Sequence, residues 1–67
     1  MSKESENFFN FVNENFNVGG AASRIINNIL CFVDERYTNN KEKIEILWEL
    51  LDGTIGLNKD EIEVFFS

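Results

Sequence analysis

Apolar residues in this chain recur three and four positions apart and never alternate with polar ones over any length, so helices are the only regular elements the sequence supports. Glycine and asparagine interrupt the pattern at Gly19-Gly20, at Asn39 and between Gly53 and Asn58, which leaves four segments.

Ser2 is placed to cap the first helix, with Glu4 and Glu6 in the opening turn where the helix dipole favours carboxylates. At about 100° per residue, Phe8, Phe9, Val12 and Phe16 fall on one face with Phe11 at its edge, and Gly19-Gly20 is expected to end the helix. The second helix is expected over Ala21 to Tyr37. Its apolar residues, from Ala21 and Ile25 through Leu30 to Tyr37, cover roughly half the circumference, as in a helix packed on more than one side. The small pair Ala21-Ala22 allows another helix close at that end.

Asn39 followed by Glu42 has the form of a capping box and opens the third helix, which Gly53 is expected to stop. Ile44, Leu47, Trp48 and Leu51 follow the spacing of a core face, which puts Trp48 at its centre. Ile46 and Leu50 fall outside that face, on an adjoining apolar stripe. Glu42, Glu45 and Glu49, reinforced by Asp52, form a separate acidic stripe. Asn58 and Glu61 repeat the capping pattern before a short last helix that packs through Ile62, Phe65 and Phe66 and points Val64 away. The predicted fold is all-α, a compact bundle of three main helices plus a short C-terminal helix, with residues 1–67 as one domain.

Nothing staples such a chain. With 67 residues, one cysteine and no histidine, it can form no internal disulfide and is a poor metal cage, so helix packing or oligomerisation must hold it. A core of this size rarely supplies more than about 3–5 kcal/mol.

The chemistry excluded is broad. A Ser-His or Cys-His nucleophile needs an imidazole, and there is none. Cys31 lies off the main apolar face of its helix, without the electropositive setting that makes a thiol reactive. The acid pairs Asp34-Glu35 and Asp60-Glu61 sit at helix ends, where structural roles account for them. The stretch Asp52 to Asn58 lacks the alternating oxygen ligands of a calcium loop, and Gly19 to Arg24 lacks the spacing and lysine of a phosphate loop. Neither catalysis nor a cofactor is expected.

Net charge is −6, and nine of the twelve acids lie in residues 34–67. That balance disfavours nucleic acid and anionic lipid and favours a basic protein surface. The third and fourth helices have a helix-turn-helix outline, but the last would present Lys59, Asp60, Glu61 and Glu63 to the groove, against DNA binding. A polar, acidic N-terminus and the lack of any 20-residue apolar run point to a cytoplasmic location. Ten asparagines and seven each of phenylalanine and isoleucine fit AT-rich codons, hence a low-GC bacterium or its phage or mobile element.

What remains is a small acidic protein-binding module, a regulator or inhibitor of a protein partner. Ile46 and Leu50 are its apolar contacts, and Glu42, Glu45, Glu49 and Asp52 its acidic ones. Self-association as a homodimer stays open. So do an acidic decoy that imitates nucleic-acid phosphates and a structural subunit of an assembly.

Overall fold

A computed structural model describes residues 1–67 as four helices with no strand: α1 (Lys3–Asn15), α2 (Gly20–Arg36), α3 (Asn40–Ile55) and α4 (Lys59–Phe66). Connections of three or four residues make consecutive helices antiparallel neighbours. Contacts run α1 to α2, α2 to α3, α3 to α4 and α4 back to α1, so the four form a closed ring within 29 × 21 × 19 Å. No helix is long and apolar enough to cross a membrane.

The core lies inside the ring. Phe8 and Val12 from α1, Ile26, Leu30 and Val33 from α2, Ile44, Leu47 and Leu51 from α3, and Ile62 and Phe66 from α4 are buried, together with Leu57 from the last connection. Each set repeats at three or four residues, which is why each segment is helical: only that period keeps these side chains on one face. The short α4 contributes two of the most deeply buried side chains, so it closes the core on the side opposite α2.

Helix starts are close to those expected. The Ser2 hydroxyl accepts from the Ser5 amide at 3.2 Å, and Asn39 Oδ1 accepts from the Lys41 and Glu42 amides at 2.8 and 3.4 Å. The Asn58 amide donates to Glu61 Oε1 at 3.1 Å. Helix ends differ more. The first helix stops at Asn15, four residues short of Gly19, where Phe16 turns extended and its ring meets Phe11 at 6.0 Å. The third runs through Gly53 to Ile55 and ends on Gly56, whose φ of 64° is the left-handed conformation that terminates helices and suits glycine. A helical glycine such as Gly53 weakens a helix without breaking it.

Trp48 also departs from expectation. It is half-buried at the rim of the core, because α4 approaches α3 from the Trp48 side and the Lys59 ammonium lies over the indole, 5.8 Å from the ring centre. The centre of the α3 packing face belongs to Leu47 and Leu51.

Candidate protein-binding face

Two sets of contacts fix how α2 and α3 are turned. On α2, the Ser23 hydroxyl donates to Asn13 Oδ1 at 3.0 Å and Asp34 binds Ser2 and Ser5, so that flank faces α1. About 160° round the helix, Ile25, Ile29 and Phe32 share a stripe on the α3 side. On α3, Lys43 reaches Asp34 and so marks the α2 flank, while Glu45 and Trp48 meet Lys59 of α4. Leu50, seven residues after Lys43, lies two turns along that same α2 flank, with Ile46 beside it. The two stripes therefore border one seam on the outside of the α2–α3 hairpin.

This seam is only partly covered. Ile25 is 54% exposed, and Phe32 and Leu50 are 44% exposed, while Ile29 and Ile46 are half-buried against the core. Arg36 lies over one end, its guanidinium 5.2 Å from the centre of the Phe32 ring. Of the two apolar residues expected here, Leu50 is thus the open one and Ile46 the partly packed one. The sequence reading missed Ile25 and Phe32, having assigned them to the packing face of a central helix. Nothing local in the sequence singles them out: only with its two neighbours known is it plain that α2 cannot bury half its circumference, and the residues left over are those farthest from Leu30.

The acidic stripe divides. Glu42, Glu49 and Asp52 are exposed and make no ion pair, whereas Glu45 accepts a hydrogen bond from Lys59 across the α3–α4 junction. That bond raises the Lys59 pKa above its ordinary value; desolvation opposes it, and the charges of Glu45 and Glu63 add to it. Where the stripes meet, Tyr37, Lys41, Glu42, Glu45 and Ile46 line a shallow depression of about 260 Å³. A larger open cleft at the end of the molecule, bordered by Glu4, Asn39, Lys41, Glu63 and Phe66, is lined mostly by polar residue types and brings no chemically matched groups together.

Behind the seam stands a polar cluster. Oδ1 of Asp34 accepts from Lys43 Nζ at 3.0 Å, from the Ser5 hydroxyl at 2.9 Å and from the Ser2 hydroxyl at 3.1 Å, while Oδ2 accepts from the Ser2 amide at 2.8 Å. Burial pushes the Asp34 carboxyl up, but the Ser2 amide, Lys43, the Ser5 hydroxyl and the Lys43 charge together outweigh it and hold the pKa below the usual carboxylate value. Lys43 and Ser5 are both buried, and no buried side-chain polar atom lacks a partner. The cluster ties the start of α1 to the end of α2 and the start of α3. Its members are fully engaged with one another, which marks a structural clamp. Cys31 is half-buried.

Comparison with protein-family models, with curated proteins and with solved structures found no match for this chain.

Proposed function

We propose that this protein is a non-catalytic docking module, a bundle of three main helices and a short fourth, that binds a partner protein along the outside of its α2–α3 hairpin and acts on it as a regulator or inhibitor. One observation carries the reading. Ile25, Phe32 and Leu50, three large apolar side chains from two helices, stand open to solvent along one seam. A fold that seats eleven apolar residues in its core has left these outside, and contiguous exposed apolar surface marks interaction sites. Ile29 and Ile46 give the seam a firm floor, because both also pack on the core.

Affinity capture from the parent cell, with three baits, tests the assignment. A partner retained by the wild type and by Val64→Ser, which alters an exposed residue elsewhere, should be lost with Phe32→Ala/Leu50→Ala, because truncating apolar anchors accelerates release. Retention by the Phe32→Ala/Leu50→Ala bait overturns it. Loss in 200 mM salt with no effect of the apolar truncations would favour the acidic decoy, whose attraction is there screened over a Debye length of about 7 Å.

A further inference from the structure

The partner's chemistry can be narrowed further, on the premise that the α2–α3 seam is the docking face. We propose that the seam takes a basic amphipathic helix of another protein, with its apolar side on Ile25, Ile29, Phe32 and Leu50 and a lysine or arginine side chain in the depression beside Ile46.

Shape and charge both suit such a helix. Two antiparallel helices with apolar residues on both lips form a groove, and a third helix fills such a groove through residues spaced three, four and seven apart. The α3 lip is then bordered by carboxylates: Glu42 and Glu49 are exposed and carry no ion pair, and Glu42 and Glu45 edge the depression that Tyr37 and Ile46 floor. An apolar floor with carboxylates at the rim suits a long cationic side chain, which buries its methylenes and keeps its charged head at the edge. Lys41 borders the depression and Arg36 lies over the Phe32 end of the seam, so the incoming cations sit on the α3 side, toward Glu42 and Glu49 and away from both. A second copy of this chain is the poorer occupant. Two-fold pairing would set these acids against their own kind between molecules that each carry a net charge of −6.

Three blocked 18-residue helical peptides provide the probes: leucines on one face with lysines on the flank, the same leucines with glutamates on the flank, and a lysine peptide whose leucines are replaced by serine. Nitrogen-15 NMR titration reads both affinity and location. The leucine-lysine peptide should bind at least tenfold more tightly than either of the others, shifting Ile25, Ile29, Phe32, Ile46 and Leu50. Glu42→Lys/Glu49→Lys, shown folded by circular dichroism, should erase the preference for lysine over glutamate. Equal binding of the two leucine peptides at the seam would overturn the basic-helix assignment while leaving apolar docking intact. Shifts confined to α4, or no binding of any peptide, would overturn the seam itself. Equal binding of the two lysine peptides would point to charge mimicry, and a concentration-dependent dimer that excludes the peptides would assign the seam to a second copy; both results overturn the proposal.

Discussion

The α1–α4 seam and the α2–α3 seam join equally adjacent helices, yet they dispose of apolar surface in opposite ways. Between α1 and α4 the phenylalanines interlock. Phe8 meets Phe65 and Phe66 edge-on at 5.7 and 6.0 Å, and Phe11 leans on Phe65 at 5.1 Å, so the aromatic excess of the first helix is consumed within the fold. Between α2 and α3, the join includes an ion pair, Asp34 with Lys43, and open apolar residues line its outer edge. One seam spends its hydrophobic surface on stability and the other leaves it available. Apolar surplus in a sequence therefore becomes meaningful only once the neighbours of each helix are known.

The sharpest way to break this contrast is to truncate one residue from each seam. Phe8→Ala removes a fully buried ring with two aromatic partners and should cost about 3–5 kcal/mol, comparable with the whole stability expected at this size. Leu50→Lys should change stability by less than about 0.5 kcal/mol. Urea melts that showed equal losses for the two variants would abolish the distinction between a closed seam and an open one.

A smaller effect is expected at the ionic clamp. Asp34→Asn leaves the Lys43 ammonium without its counter-charge in a nearly buried position and should cost about 2–3 kcal/mol, less than for a wholly buried pair. Because the folded carboxyl has a lower pKa than the unfolded one, its contribution is complete above about pH 4 and disappears as pH falls through the folded value. Wild type should therefore lose stability more steeply than Asp34→Asn in acid. Parallel pH profiles between pH 2 and 5 would show that the clamp does not bias folding.

Trp48 gives the smallest of the three effects. Half-buried at the rim, it should lose about 1–2 kcal/mol on truncation to alanine, well below the cost of emptying a central core position. A thermal melt giving 3 kcal/mol or more would return it to the centre of the α3 face.

The four helices and most of their core residues were legible in the sequence because period and caps are local properties. Ser2 and Asn39 announce helix starts through side-chain oxygens that accept from amides two or three residues on, and Asn58 through its backbone amide, which donates to Glu61 three residues on. What eluded that reading depends on which helix lies beside which. Glu45 looked like part of a free acidic stripe until α4 brought Lys59 against it, and Asp34 looked like half of an acid pair until Lys43 closed on it. Lys43 did carry a signal, since it heads the row that continues through Leu47 and Leu51, where a solvated lysine is out of place. Ser5 likewise stands at the head of the row holding Phe8 and Val12. Two polar residues on core rows at the same end of the molecule imply a shared partner.

Closing the helices into a ring also orders events in time. The α2–α3 hairpin joins residues near in sequence, so its loop is short and quick to close, whereas Phe8 on Phe65 and Phe66 links positions separated by most of the chain. That aromatic contact should form late, after the folding barrier has been crossed. Its weakening by Phe8→Leu should then appear in stopped-flow kinetics as faster unfolding with an almost unchanged folding rate, and the seam that makes the molecule durable would act as its latch, not its nucleus.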